Sequence, residues 1–236
     1  MGQPRLFSMI DKAVYDYNLI EEGDKILVGA SGGKDSTALI EYFATRKKRR
    51  KDVHFEFTAL HVQTEITPPL SKDMLTLIKG WGVEVISLDV DVLGRLKENR
   101  KMNCYWCSMQ RRTELLKYAL ENNYTKLALG HHIDDILETL LMNMLNKSEL
   151  STMVPRLKYE NYPLTIVRPL CYADIPTIKE HALTNGYISS TCTCTYQENS
   201  GRKEARSKLD ILTNGSLHKK QNMFNALKNI NPMYLP

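Results

Sequence analysis

One short stretch constrains this chain more than any other. It is Gly29-Ala30-Ser31-Gly32-Gly33-Lys34-Asp35-Ser36, set between the apolar run Ile26-Leu27-Val28 and the helix-compatible run Ala38-Leu39-Ile40-Glu41-Tyr42-Phe43. A glycine-rich turn between strand and helix offers backbone N–H groups at the positive end of the helix. Its glycines let an anion approach the backbone closely. The stretch therefore predicts a strand–loop–helix unit that holds phosphate. Two common phosphate loops fit poorly. A Walker A loop places Ser or Thr directly after its lysine and sets its glycines further apart, whereas Asp35 follows Lys34. The dinucleotide fingerprint needs its glycines at other offsets.

Around this loop, strand-like and helix-like stretches alternate. Ile26–Ala30, Phe55–Val62, Val83–Leu88, Lys126–Leu129 and Thr165–Leu170 are short, apolar and rich in β-branched residues, and read as strands. Asp35–Thr45, Ser71–Lys79, Ser108–Glu121 and Asp134–Asn146 read as helices. In the last of these, Ile136, Leu137, Leu140, Leu141, Met144 and Leu145 form one apolar face, with Asp134 or Asp135 placed to cap its start. Such alternation predicts an α/β fold: a Rossmann-like, largely parallel sheet with helices on both faces and ligands at the carboxyl ends of the strands. A length of 236 residues suits one large domain with small appendages. The expected division is a helical segment 1–23 with a stripe of Leu6, Met9, Ile10 and Val14, a central domain 24–190, and a basic segment 191–236 that is helical until Asn231-Pro232.

Charge and cysteines narrow the setting. The net charge of +5 is uneven: Arg46-Lys47-Lys48-Arg49-Arg50-Lys51 is an unbroken basic run, and Arg202, Lys203, Arg206 and Lys208 cluster later. Such runs are usually solvated helix ends, and the functional alternative is contact with a phosphate backbone. Acidic and basic residues interrupt the N-terminus early and no apolar run reaches membrane-spanning length, so a cytoplasmic protein without membrane partners is expected. In that compartment the five cysteines, at 104, 107, 171, 192 and 194, suit metal or redox chemistry better than disulfides.

The second loop of interest, Leu127-Ala128-Leu129-Gly130-His131-His132-Ile133-Asp134-Asp135, also follows a predicted strand and should open onto the same crevice. Gly130 permits a tight turn, while Asp134 and Asp135 are placed to hold magnesium beside a triphosphate, or simply to cap the helix. His131 and His132 read as hydrogen-bonded loop residues. Cys104 and Cys107 form a C-x-x-C followed by Arg111-Arg112, and Cys192 and Cys194 come much later. A structural zinc cage and an iron–sulfur cluster both remain open for these thiolates. Cys171, alone in Arg168-Pro169-Leu170-Cys171, reads as a small buried residue.

These motifs, in this order, resemble those of the tRNA 2-thiocytidine synthetase family, a branch of the PP-loop (N-type) ATP pyrophosphatases. The likeness runs from about Asn18 to Pro236: SGGKDS, C-x-x-C with paired arginines, LGHH-x-DD, R-P-L, and a late cysteine near Gln197 and Asn199. The resemblance implies an adenine-nucleotide α-hydrolase-like fold and an enzyme that adenylates a tRNA base carbonyl, releases pyrophosphate and replaces oxygen with sulfur. It implies ATP, Mg2+ and a [4Fe-4S] cluster on three cysteines with one iron open. By motif, Ser31, Gly32, Gly33, Lys34, Asp35 and Ser36 would cradle the phosphates. Gly130, His131, Asp134 and Asp135 would line the nucleotide and magnesium side, and Arg111 would lie between nucleotide and cluster. Lys34, Asp35, Arg111 and Asp134 carry the catalytic expectation. The family's late C-x-x-C is replaced by C-x-C, and alignment on Gln197 and Asn199 points to Cys194 as third ligand beside Cys104 and Cys107. The implied partners are tRNA, a sulfur donor such as a cysteine desulfurase, and a second copy of the chain in a homodimer. The basic run and tail gain weight as tRNA contacts. A sister enzyme that thiolates uridine or removes sulfur, and a non-catalytic tRNA- or nucleotide-binding protein with structural zinc, stand as alternatives.

Overall fold

The computed structural model describes residues 2–49, 52–97, 101–160, 162–187 and 201–234. The chain runs α1 (Arg5–Tyr17), β1 (Asp24–Gly29), α2 (Lys34–Arg49), β2 (Phe55–Thr64), α3 (Lys72–Gly80), β3 (Val85–Val90), α4 (Cys104–Glu121), β4 (Lys126–Ala128), α5 (Ile133–Lys147), β5 (Arg156–Lys158), β6 (Thr165–Val167), α6 (Ile175–Thr184), α7 (Gly201–Thr213) and α8 (Leu217–Ala226), then a 3-10 turn Pro232–Tyr234.

The six strands form one sheet in the order β3-β2-β1-β4-β6-β5. All neighbours are parallel except β5 against β6, where Leu157 pairs with Ile166. The α/β expectation holds, with an antiparallel edge strand that the pattern did not show. β5 is three exposed residues with no apolar alternation, so it carries no strand signal. α6 was also missed, although Asp174 caps its N-terminus by accepting from the Thr177 amide and Pro176 lies in its first turn.

Alternation along the central strands divides the core into two layers. Ile26 and Val28 of β1, Ala128 of β4 and Val167 of β6 pack with α1, α2, α5 and α6 on one face. Leu27, Leu127 and Ile166 pack with α4 on the other. That is the period-two signature of strands buried on both faces. Residues from Leu6 of α1 to Phe224 of α8 join the first cluster, so the first and last helices pack into the same core. Among the described residues no helix is long and apolar enough to cross a membrane.

Two features of this fold bear on the site. Strand order reverses between β1 and β4, since the chain proceeds β1-β2-β3 outward and then returns to the other side of β1. Such a switch point leaves a crevice at the carboxyl ends of the two strands. Arg46 to Arg49 of the basic run lie at the opposite end of α2, whose 16 residues span about 24 Å, and residues 50 and 51 lie outside the described residues. The run's first member, Arg46, is buried between Asp11 at 2.9 Å and Asp52 at 3.4 Å. That residue is a structural ion-pair partner rather than a nucleic-acid contact.

Candidate active site

The loop after β1 is held by its own hydroxyl groups. The Ser31 amide donates to Ser36 Oγ at 3.1 Å, the two serine hydroxyls lie 3.0 Å apart, and Ser36 and Thr37 both donate to the Gly33 carbonyl, at 3.1 and 3.0 Å. Gly32 turns the chain with φ of +81°, a region that favours glycine. From the neighbouring strand, buried His61 sets its Nδ1 2.7 Å from the Ala30 carbonyl oxygen. An oxygen there can only accept, so Nδ1 carries the proton. No sequence motif marks this supporting role of His61. The loop delivers the N-terminus of α2, with Asp35 in its first turn. Lys34 Nζ meets the Asp35 carboxylate at 2.8 and 3.0 Å.

The loop after β4 is built differently. His132, not an aspartate, caps α5: its Nδ1 accepts from the Asp135 amide at 3.4 Å, and Asp135 Oδ2 accepts from the His132 amide at 3.1 Å. This reciprocal arrangement is a capping box made with an imidazole. Asp134, expected on the magnesium side, is not among the residues that line the crevice. Its buried carboxylate accepts from Lys220 of α8 at 2.6 Å and from the Ile175 amide at 3.0 Å, which ties α5 to α8 and α6. A carboxylate so engaged is a structural anchor.

Asp135 does line the crevice, and Arg202 of α7 reaches its other oxygen at 3.3 Å. Burial works against its charge, but the His132 amide and the Arg202 guanidinium favour the carboxylate, and its carboxyl is held below the usual range. His131 accepts at Nδ1 from Arg168 at 3.3 Å. Burial, reinforced by Arg168, Arg112 and Arg202, pushes its imidazole well down, so it stays neutral. Farther along α5, buried Glu138 pairs with Arg206 at 2.6 Å, and its Oε2 has no partner among the described residues.

Both loops close on one cavity of about 270 Å³. It is lined by Ser31, Asp35, Ser36, Gly130, His131 and Asp135, with Leu60 and Val62 of β2 and Arg111 and Leu115 of α4. At Gly130 a Cβ would stand 3.1 Å from the Ser36 amide nitrogen and 3.2 Å from the Asp35 carbonyl carbon. Only glycine lets the two backbones approach so closely. The result is a cradle at the start of α2 lined by two carboxylates, with Lys34 paired to one of them, which suits a polyphosphate with a divalent cation.

Helix α4 joins the cysteines to this crevice. It starts at Cys104, earlier than the expected Ser108, because the Asn103 side chain caps it by accepting from the Trp106 amide at 2.8 Å. Cys104, Cys107, Arg111 and Leu115 follow one another at helical spacing and share a face. Cys107 packs with Val62 and Leu115, two residues that also line the crevice. Cys107 therefore adjoins the crevice, with Cys104 one turn before it on the same face. Cys194, with Cys192, lies outside the described residues. Among the described residues no group of three His, Cys, Asp or Glu converges as a metal site. Cys171 is fully buried, and burial pushes its thiol up to about 12. The basic cluster on α7 is largely exposed but partly engaged: Arg202 and Arg206 pair with carboxylates of α5, and Lys208 pairs with Glu204 on its own helix at 2.6 Å.

Comparison with known proteins agrees with this geometry. A family model described as a PP-loop domain matches residues 5–189. A tRNA-cytidine(32) 2-sulfurtransferase from Variovorax paradoxus is 33% identical over 238 residues, covering 99% of this chain and 76% of that protein. Its namesake from Tolumonas auensis is 34% identical, covering 99% and 78%. Among solved structures, the U34-tRNA thiolase NcsA from Methanococcus maripaludis with its [4Fe-4S] cluster matches with a TM-score of 0.70 at 21% identity, over 96% of this chain and 78% of that one. NAD+ synthetase from Burkholderia pseudomallei matches with a TM-score of 0.51 at 13% identity, over 98% and 88%. At such identities the two structures speak for the fold.

Proposed function

This chain belongs to the PP-loop family, alongside the tRNA-cytidine(32) 2-sulfurtransferases that match it over almost its whole length, and on that premise we propose that it is an ATP-dependent tRNA sulfurtransferase acting on an anticodon-loop cytidine. The observation that carries the reading is the convergence of the Ser31–Ser36 loop, Gly130, Asp135 and the cysteine-bearing face of α4 on one crevice.

The base carbonyl is a poor electrophile because its oxygen leaves badly. Attack of that oxygen on the α-phosphorus of ATP expels pyrophosphate and converts the oxygen into part of a good leaving group, AMP. Sulfide then adds at the activated carbon, and AMP departs with the former carbonyl oxygen. Amides at the start of α2 and Lys34 offset charge on the departing pyrophosphate. Lys34 must leave Asp35 to do so, which frees that carboxylate. Asp35 and Asp135 face the same cavity and would hold magnesium, which supplies further neutralisation of the triphosphate when bound. Arg111, on the cysteine face of α4 and lining the cavity, would steady the adenylate phosphate. Cys104, Cys107 and Cys194 would hold a [4Fe-4S] cluster, which when bound supplies sulfide to the activated carbon. A cysteine desulfurase as sulfur source, a homodimer as working form and a cytoplasmic setting complete the proposal.

Turnover of α-labelled ATP with tRNA tests the first half-reaction. AMP and pyrophosphate are expected, and clean ADP formation would overturn the assignment. Asp35→Ala should lower adenylation by about a hundredfold or more while leaving iron per chain unchanged. Metal analysis of anaerobically purified protein tests the second half. Iron with sulfide supports the reading, and zinc in its place returns the cysteines to a structural role.

A further inference from the structure

One row of α4 has no role in the site described above beyond the field of Arg112 at His131. Lys101, just before the helix, and Tyr105, Ser108 and Arg112 within it are all exposed. Their spacing places the three helical residues in line. This row lies beside the inward row of Cys104, Cys107 and Arg111, offset by one residue, and so flanks the crevice that Arg111 lines.

Tyr105 is the anomaly in the row. Its ring is 75% exposed although it stands between two cysteines. The next residue, Trp106, shows the ordinary fate of an aromatic side chain here: it packs against the Val62–Val90–Val92 cluster, and its indole donates to the Val92 carbonyl at 3.4 Å. Charge is one-sided as well. From Lys101 to Thr113 the chain carries Lys101, Arg111 and Arg112 and no Asp or Glu. The next acid, Glu114, is buried and answered by Arg95 at 2.6 Å. Tyr15 is more exposed, at 85%, but it precedes Asp16 on a helix that contributes nothing to the crevice.

We propose that this row is the platform for an unpaired base of the RNA substrate, with Tyr105 stacking on the base and Arg112 and Lys101 meeting the adjacent phosphates. The inference rests on the reading of the substrate as tRNA and deepens it. Unpaired loop bases are gripped by stacking on exposed aromatic rings, while neighbouring cations track the backbone. Tyr105 and Arg111 are about 9 Å apart along the helix axis, so the stacked base belongs to a nucleotide close to the one in the crevice.

The test uses the full-length protein reconstituted without oxygen. Tyr105→Ala should raise the tRNA Kd, and the KM for tRNA, about tenfold. Iron per chain and the KM for ATP should stay at wild-type values. Tyr105→Trp, which keeps a stacking face, should restore both tRNA constants. Arg112→Ala should weaken tRNA binding and reduce its salt dependence by about one released ion. Should Tyr105→Ala lose iron, Tyr105→Gln removes the ring while keeping a long side chain. Binding of tRNA by these variants within about twofold of wild type would overturn the inference. So would unchanged tRNA affinity with loss of sulfur delivery from a donor protein, which would make the row a protein-docking face. If the wild type itself neither binds nor thiolates tRNA, the functional reading fails first and this inference falls with it.

Discussion

The loops after β1 and β4 leave adjacent parallel strands and meet across the same crevice, yet they are held in place by opposite means. Residues 30–37 are stapled mainly by hydroxyl groups within the loop itself, whose bonds span at most five residues, with His61 of β2 added at the Ala30 carbonyl. Residues 129–135 depend on partners from far along the chain: Lys220 on Asp134, Arg202 on Asp135 and Arg168 on His131. Local bonds form with little loss of chain entropy, whereas distant ion pairs exist only after α7 and α8 have docked. The first loop is a preformed anion cradle. The second is set by the rest of the fold, and with it the position of Asp135.

Changes to the distant partners should therefore separate the two loops. The largest effect is expected for Lys220→Ala, which leaves the Asp134 carboxylate buried without its cation. A loss of about 3–5 kcal/mol is expected by urea unfolding. Hydrogen exchange should rise at 129–135 and in α6 and α8 but not at 30–37; equal loss of protection in both loops would erase the distinction. Gly130→Ala comes next. Its new methyl group meets the backbone of Asp35 and Ser36, which cannot yield as a side chain can. It should cost about 1–3 kcal/mol and raise the KM for ATP, because it pushes the loops apart.

Smaller effects probe each loop from within. Ser31→Ala removes the hydroxyl that donates to Ser36 Oγ and should cost about 1 kcal/mol, with no change in the protection of α5. Glu138→Gln sharpens the contrast through pH. Burial raises the Glu138 carboxyl above its ordinary value of 4.5, with Arg206 opposing. A raised folded-state value means that the native protein holds this proton more tightly than the unfolded chain. Its contribution to stability is present below the ordinary value and is lost as pH rises through the raised one. Urea midpoints of the wild type compared with the Gln variant should show stability falling as pH rises past 4.5, and in the wild type alone.

Much of the architecture was legible because it rests on short-range pattern. Ile26-Leu27-Val28 must be buried on both faces, since no polar residue breaks the run, and the strand–helix alternation implies parallel neighbours with a crevice at their carboxyl ends. The glycines and serines of the first loop encode their own geometry. β5 escaped notice because three exposed residues pair only where β6 offers an edge. The start of α4 was placed late because cysteine is a weak helix signal and the Asn103 cap went unread.

Residue types and order were enough to determine a phosphate-holding loop, a second loop facing it and a thiol pair on the way to them, because those features depend on bonds within a few residues. Sequence alone could not decide which of two adjacent aspartates would face the crevice. Asp134 is drawn to Lys220 and the Ile175 amide, while Asp135 turns to the nucleotide side and meets Arg202. That choice follows from burial: a carboxylate inside the core must find a cation and an amide, and only the packed arrangement of α6, α7 and α8 supplies them.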